Sequence, residues 1–141
     1  MIYLLDTDMF TLAHQARRGL REQISAVTIP DEVVVSIATR IEVLQGRYEA
    51  IKKAATAVEL LAARARLRQS EQYLHLFREL DIDQLVGDRF DGFRAERKYN
   101  KMDRGDLLYA CIALTHHATL VTRNVEDYKL VPGLTVENWA D

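Results

Sequence analysis

The chain opens with Met1-Ile2-Tyr3-Leu4-Leu5-Asp6-Thr7-Asp8, an uninterrupted apolar run that ends in two carboxylates. An apolar run of this length without polar alternation is typical of a strand covered on both faces, as in a parallel sheet flanked by helices. Ligands of such sheets bind at the carboxyl ends of the strands. The stretch therefore predicts a buried first strand that places Asp6 where an α/β domain does its chemistry. A simple helix N-cap is the alternative role for this carboxylate.

The rest of the chain alternates between short apolar runs and segments with helical spacing of apolar residues. Further strands are predicted near residues 33–35, 81–83, 118–122 and 134–136. Helices are predicted over residues 8–24 and 37–46, from Gln84 onward, after Asp103, and as a pair between residues 48 and 80 that divides near Gln69 and Ser70. This alternation predicts one α/β domain over residues 1–141, with a mostly parallel sheet of about five strands flanked by helices.

The composition is that of a globular domain, with 48% hydrophobic and 28% charged residues among 141. The 19 Lys and Arg residues against 21 Asp and Glu residues give a net charge of −2, so any surface for nucleic acid must be local. The single cysteine, Cys111, excludes an internal disulfide and a thiolate-rich metal site and predicts a reducing compartment. No apolar run approaches the roughly 18 residues of a membrane span, and Asp6 interrupts the candidate signal segment. We therefore expect a cytoplasmic protein with no membrane association.

The segment from Arg89 to Arg104 is locally basic, with six basic residues against three acids. Phe90, Phe93 and Tyr99 lie between these charges, a combination typical of surfaces that contact a phosphate backbone. A helix that continues from Gln84 would present the charges on neighbouring turns of one face. An ordinary solvated helix face is the alternative. The predicted basic strip consists of Arg94, Arg97, Lys98, Lys101 and Arg104.

Acidic residues lie next to several of the predicted elements. Asp6 ends the first strand, Glu42 borders the buried stripe of the helix after the second strand, and Asp106 opens a largely buried helix. Asp127 follows the fourth strand, with Asn124 shortly before it. Because the carboxyl ends of parallel strands meet at one edge of a sheet, we expect these side chains to converge there.

This group of side chains favours a metal site. Carboxylates packed together repel one another and become partly protonated unless a divalent cation compensates them. An oxygen-only set favours Mg²⁺ or Mn²⁺ over zinc, and such an ion supports phosphodiester hydrolysis. The alternatives are structural: Asp103 and Asp106 are spaced like a capping box, and Glu42 like a solvated helix residue.

The chain resembles the PIN-domain ribonucleases of the VapC toxin type over nearly its full length. The segments that carry the resemblance are Leu4-Leu5-Asp6-Thr7-Asp8, residues 36–46, Gly105-Asp106-Leu107-Leu108 with Ala110, residues 119–128, Val131-Pro132-Gly133-Leu134 and Val136-Glu137-Asn138-Trp139. The resemblance implies an endoribonuclease that depends on Mg²⁺ or Mn²⁺, takes RNA as its substrate, pairs with a cognate antitoxin protein and is commonly a homodimer. The basic strip is then expected to guide RNA toward the acids.

The same resemblance assigns roles to the acidic residues. The implied catalytic and metal-binding residues are Asp6, Glu42, Asp106 and Asp127. Asn124 is implied as a polar support beside the fourth acid. Two positions depart from the usual pattern: Asp8 stands where many relatives have asparagine, and Asp103-Arg104-Gly105 replaces the more usual approach to the third acid, which makes Asp103 an additional supporting carboxylate.

Two other functions are compatible with parts of the sequence. Asp6-Thr7-Asp8 after an apolar strand imitates the nucleophile motif of haloacid-dehalogenase-like phosphatases, in which Asp6 would be phosphorylated and Asp8 would act as the acid. The downstream lysine and paired-aspartate loop of that family have no convincing counterpart here. A non-catalytic RNA-binding module, with the acids serving only as helix caps, is the second alternative.

Overall fold

The computed structural model describes residues 1–17 and 19–141, which form one five-stranded sheet and its flanking helices. The strands are β1 (Ile2–Leu5), β2 (Glu32–Ser36), β3 (Arg78–Leu80), β4 (Ala118–Val121) and β5 (Val136–Glu137). All neighbouring pairs are parallel, in the order β3-β2-β1-β4-β5. The predicted α/β class and parallel sheet are confirmed.

Six α-helices connect the strands. They are α1 (Thr7–His14), α2 (Leu20–Ala26), α3 (Ile37–Lys52), α4 (Ala57–Leu74), α5 (Gln84–Arg94) and α6 (Arg104–Thr115). Short 3-10 turns occupy Arg97–Tyr99 and Val125–Tyr128. Among the described residues, no helix is both long enough and apolar enough to cross a membrane.

The central strand β1 lies between β2 and β4, and its side chains alternate between two apolar cores. Leu4 packs with Val34 and Leu120 on the face covered by α5 and α6. Leu5 packs on the other face, in a cluster that includes Met9 of α1 and Leu74 of α4. Because both faces of β1 are covered, an unbroken apolar run is the pattern that this strand requires.

Five helices begin with the same side-chain cap. The capping residues are Asp6, Ser36, Thr56, Asp83 and Asp103, and each side chain accepts a hydrogen bond from the backbone N–H three residues later. Such caps satisfy backbone donors that the first helical turn otherwise leaves unpaired. Two of these five residues are therefore both caps and members of the predicted acidic group.

Several element boundaries differ from the prediction. The predicted helix over residues 8–24 is replaced by α1 and α2, since α1 ends before Ala16, which has a φ of 57°. Residue 18 of that range lies outside the described residues. Helix α3 continues past Gly46 because a single glycine costs a helix only about 1 kcal/mol. The expected break at Ser70 is wrong: α4 is continuous there, and the buried Ser70 hydroxyl accepts a hydrogen bond from Arg47 Nε at 2.9 Å.

The two weakest predicted strands are displaced by a few residues. The third strand lies before residues 81–83, where Asp83 instead caps α5. The last strand is shorter and later than predicted, and it pairs with β4 through Val136 and Glu137. Both strands lie at the edges of the sheet, where short length and partial exposure weaken the apolar pattern.

Candidate active site

Asp6 lies directly after β1, at the carboxyl edge of the sheet. Its side chain is 7% exposed, and its Oδ1 accepts a hydrogen bond from the Met9 N–H at 2.8 Å. Burial raises the pKa of Asp6, hydrogen bonds from Thr122 and Met9 lower it, and the charges of Asp8 and Asp106 raise it further. Asp6 is thus the N-cap of α1 and also a buried acid in the field of other acids.

Asp106 lies in the first turn of α6, and its side chain is partly buried. Burial raises its pKa, the charges of Asp103, Asp127 and Glu42 also raise it, and a hydrogen bond from Tyr128 lowers it. The Tyr128 hydroxyl lies 3.3 Å from Asp106 Oδ1. The charge of Asp106 also raises the pKa of Asp6. Asp106 therefore lies at the electrostatic centre of the acidic group.

Only half of the expected capping box is present at the start of α6. Asp103 Oδ1 accepts the backbone N–H of Asp106 at 3.0 Å, as a cap does. The Asp106 side chain does not complete the reciprocal bond and accepts the Tyr128 hydroxyl instead. The second carboxylate therefore points toward the acidic group and away from a purely local role.

Glu42 and Asp127 reach this edge from the helix after β2 and from the turn after β4. Glu42 is exposed, and its Oε1 accepts a hydrogen bond from the Tyr109 hydroxyl at 3.1 Å. Asp127 is exposed in the 3-10 turn, where its N–H donates to the Asn124 carbonyl at 3.0 Å. The Asn124 N–H in turn donates to Thr122 Oγ1, which ties this turn to the end of β4.

An open pocket of about 400 Å³ lies beside these acids. Asp103, Asp106 and Asp127 line it together with Lys98 and Lys101. The pocket thus brings three carboxylates and two ammonium groups to one cavity, a combination suited to a phosphate group next to a cation.

The carboxylates interact electrostatically without forming a closed coordination shell. Within residues 1–17 and 19–141, no three His, Cys, Asp or Glu side chains are grouped closely enough to hold an ion by themselves. Two of the carboxylates, Glu42 and Asp106, accept tyrosine hydroxyls instead. The donors available at this edge are carboxylate oxygens, which suit a hard divalent cation better than zinc.

Comparisons with known proteins identify relatives across the whole chain. No family model matches. The Ribonuclease VapC1 of Haemophilus influenzae is 25% identical over 142 residues, which cover 99% of this chain and 98% of the relative. The chain is a relative of the VapC ribonucleases. The predicted resemblance is therefore confirmed.

Solved structures give the same result for the fold. VapBC-1 from nontypeable Haemophilus influenzae superposes with a TM-score of 0.81 at 22% identity and covers 100% of both chains. VapBC2 from Rickettsia felis bound to a DNA fragment from their promoter superposes with a TM-score of 0.77 at 22% identity and covers 99% of both chains. The parallel sheet of this VapC relative is thus the fold of these VapBC structures. The similarity to a VapC ribonuclease over the whole chain does not favour the phosphatase or the non-catalytic RNA-binding alternative.

The basic strip of this VapC relative does not form one helical face, so that part of the prediction is wrong. Helix α5 ends at Arg94, and Glu96 is extended before the 3-10 turn that contains Arg97 and Lys98. The cause is Tyr99, which is 1% exposed and packs edge-on against Phe93, so the chain must turn inward.

The strip is consequently divided between different surroundings. Lys98 and Lys101 line the acidic pocket. Arg104 instead lines a separate, largely apolar groove between α5 and α6. Arg94 is partly buried at the end of α5, and Arg97 is exposed. Of the five residues, only the two lysines are adjacent to the acids in a shared cavity.

Five hydroxyl residues beneath the acids of this VapC relative were not predicted. Thr122 bonds to Asp6, Tyr128 to Asp106, and Tyr109 to Glu42, while Thr7 and Thr39 surround the Tyr109 hydroxyl. Their spacing offered a partial signal. Tyr109 is three residues after Asp106, and Thr39 is three residues before Glu42, so each pair lies on one helix face.

Proposed function

We propose that this chain is a divalent-metal-dependent endoribonuclease and the toxin of a toxin–antitoxin pair. The observation that carries the proposal is that acids from four elements influence one another electrostatically at the carboxyl edge of a VapC fold. Asp6 follows β1, Asp127 follows β4, Glu42 lies on α3 and Asp106 lies on α6. The name of the full-length relative, Ribonuclease VapC1, supports RNA as the substrate. The buried single cysteine is consistent with action in the cytoplasm.

The proposed metal site uses the acids of this edge. The residues that would hold Mg²⁺ or Mn²⁺ are Asp6, Glu42, Asp106 and Asp127. Burial contributes most to the raised pKa values of Asp6 and Asp106, and the charges of neighbouring acids raise them further. A bound cation would offset both effects, which supports this assignment. When bound, the cation supplies Lewis-acid polarisation of the scissile phosphoryl group.

The chain's own residues perform the remaining tasks. Tyr128 orients Asp106, and Thr122 orients Asp6, because a hydroxyl donor fixes one oxygen of each carboxylate. Lys98 and Lys101 bind RNA phosphates at the rim of the pocket and offset the repulsion between the acids and a polyanion. Arg94, Arg97 and Arg104 extend this basic surface away from the pocket, with Asn124 and Asp103 as supports of the site.

An antitoxin is the proposed partner protein. Helices α3 and α4 expose large apolar side chains: Tyr48 is 58% exposed, Val58 79% and Leu61 57%. A partner that covers this hairpin would lie along α3, the helix that carries Glu42. A basic side chain of that partner would then reach the carboxylates.

The similar solved structures are those of VapBC2 and VapBC-1, which supports an antitoxin for this chain as well. The family resemblance further supports a homodimer. Light scattering after size exclusion measures that state: a mass near 32 kDa is expected from a 16.2 kDa chain, and a monomer at all concentrations contradicts it.

Sequencing of the RNA ends produced from total RNA tests the central proposal. The wild-type protein should cleave in Mg²⁺ or Mn²⁺ and lose this activity in EDTA, while Asp106→Asn should have no detectable cleavage. Asp88→Asn is the matched control, because Asp88 is exposed on α5 and bonds only to Gln84 within its own helix. Undiminished cleavage by Asp106→Asn, or in EDTA, would refute the proposal. Phosphorylation of Asp6 would favour a phosphatase instead.

A further inference from the structure

Three hydroxyl groups lie together beneath the proposed metal site. The Tyr109 hydroxyl is 2.7 Å from Thr7 Oγ1 and 2.6 Å from Thr39 Oγ1, and the two threonine oxygens are 3.2 Å apart. The Tyr109 side chain is 6% exposed, and Thr39 is fully buried. We call these three residues the hydroxyl cluster.

The cluster joins the three elements that carry the main acids. Thr7 follows Asp6 at the start of α1, whereas the other two members lie one helical turn from an acid. Thr39 precedes Glu42 by one turn of α3, and Tyr109 follows Asp106 by one turn of α6. The cluster therefore fixes the relative positions of α1, α3 and α6 close to their carboxylates.

The contacts of the cluster determine which atom receives the hydrogen bond from the Tyr109 hydroxyl. An ionised Glu42 accepts hydrogen bonds but cannot donate one, so its 3.1 Å contact with Tyr109 requires the tyrosine proton. The Tyr109 oxygen then accepts from the hydroxyl of Thr39, of Thr7 or of both. Each of these arrangements directs the Tyr109 O–H toward Glu42.

Burial strengthens this arrangement. Tyr109 and Thr39 are buried, so the surrounding side chains hold the tyrosine ring and its hydroxyl in one place. Glu42, by contrast, is a flexible and exposed side chain on the surface of α3. Without the tyrosine, little in its surroundings would select the one rotamer that turns its carboxylate toward the other acids.

We propose that Tyr109 is a positioning residue that holds the Glu42 carboxylate at the acidic edge of the sheet, from which it contributes to the proposed metal site, with Thr7 and Thr39 fixing the tyrosine hydroxyl. This inference rests on the proposed function for the identity of the site, and it adds a residue outside the acidic group. Tyr109 does not contact the substrate in this scheme and acts only through the carboxylate.

The test measures Mn²⁺ affinity by calorimetry in the full chain and does not depend on RNA cleavage. Tyr109→Phe should weaken Mn²⁺ binding about tenfold, since removal of a partner that orients a metal ligand typically costs 10–100-fold. Tyr73→Phe is the matched control: its ring packs against Phe10 and His14, and its affinity should be that of the wild type.

A double-mutant cycle separates positioning from general loosening of the fold. In a Glu42→Gln background, Tyr109→Phe should change Mn²⁺ affinity less than twofold, because the group on which it acts is already altered. Thr39→Val provides a second variant should Tyr109→Phe unfold, and it is expected to weaken Mn²⁺ binding by a smaller factor. Thermal melting verifies that each variant is folded.

The outcomes distinguish this inference from the proposed function. An unchanged Mn²⁺ affinity in Tyr109→Phe, an equal loss in the Glu42→Gln background, or a wild-type protein that binds no Mn²⁺ would overturn the role of Tyr109. A protein that shows the expected coupling in Mn²⁺ binding but cleaves no RNA would overturn the ribonuclease proposal alone.

Discussion

The Tyr128 hydroxyl donates a hydrogen bond to Asp106 Oδ1 across 3.3 Å, from the turn after β4 to the first turn of α6. Tyr128 is 2% exposed, so this bond connects the acid to the apolar core. It also lowers the pKa of Asp106, against burial and the neighbouring acids, which raise that pKa. The bond thus favours the ionised form of Asp106, which burial and the charges of Asp103, Asp127 and Glu42 disfavour.

Removal of this hydroxyl should move the titration of Asp106 to higher pH. In metal-free Tyr128→Phe, the pKa of Asp106 is expected to rise above its wild-type value, because the hydrogen bond that stabilises the carboxylate is lost while burial and repulsion persist. Carbon-detected NMR of the side-chain carboxyl measures the shift. Tyr3→Phe, whose ring packs on Trp139, is the control. A pKa that stays constant or falls would contradict the role given to Tyr128.

Two different substitutions of Asp6 should separate its role as a helix cap from its role as an acid of the site. Asn caps helices about as well as Asp, so Asp6→Asn keeps the bond to the Met9 N–H, whereas Asp6→Ala loses it at a cost of about 1 kcal/mol. Both variants should be inactive in RNA cleavage. The free energy of unfolding from urea titration should rank Asn above Ala by about that amount.

The charge of Asp6 adds a pH dependence to the same experiment. Because its pKa is raised in the folded protein, the folded state binds the proton more tightly than the unfolded state, and stability falls as pH rises through that range. At neutral pH, metal-free Asp6→Asn should therefore be at least as stable as the wild type. A less stable Asn variant would contradict the raised pKa of Asp6, to which burial contributes most and the charges of Asp8 and Asp106 contribute less.

The sequence predicted Asp6 and Asp106 because each follows from a strong local pattern. Asp6 ends a fully apolar strand, and Asp106 opens a helix that is apolar over a wide arc, so burial itself specifies where both carboxylates lie. Glu42 and Asp127 are exposed, and their assignment depended on the family resemblance. The spacing of apolar residues does not distinguish an exposed acid that belongs to a site from an exposed acid that is only solvated.

The errors have a different origin. A break was expected near Ser70, yet Ser70 lies buried within α4 and its hydroxyl accepts a hydrogen bond from Arg47, a contact between residues 23 positions apart. The basic strip was extended along one helix because the burial of Tyr99 depends on its packing against Phe93, which spacing does not reveal. Tertiary contacts of this kind override local propensity and were therefore not predictable.

Expression of the wild-type protein alone should arrest bacterial growth if the chain is a toxin. Asp106→Asn should relieve the arrest, since the proposed metal site loses a charge, whereas Asp88→Asn at an exposed position of α5 should not. Growth curves after induction, with immunoblots to equalise expression, measure the effect. Harmless accumulation of protein that cleaves RNA in vitro would count against the toxin role.

The two lysines of the acidic pocket should carry most of the RNA-binding effect of the basic strip. Lys98 and Lys101 line the cavity with the acids, whereas Arg104 lines a separate groove. Binding of labelled single-stranded RNA is best measured in the Asp106→Asn background, which prevents cleavage. There, Lys98→Ala with Lys101→Ala should lower the slope of log affinity against log salt by roughly 1.4, or about 0.7 for each phosphate contact removed.

The matched control for this experiment replaces two arginines on another helix. Arg64 and Arg66 are exposed on α4, so Arg64→Ala with Arg66→Ala removes the same charge without touching the pocket. If charge near the acids is what matters, this control should keep the salt slope of its parent, and Arg94→Ala with Arg97→Ala should give a smaller change than the lysine pair. Equal slopes in the lysine variant and its parent would mean that the pocket lysines are only solvated, and that RNA approaches the acids over a different surface.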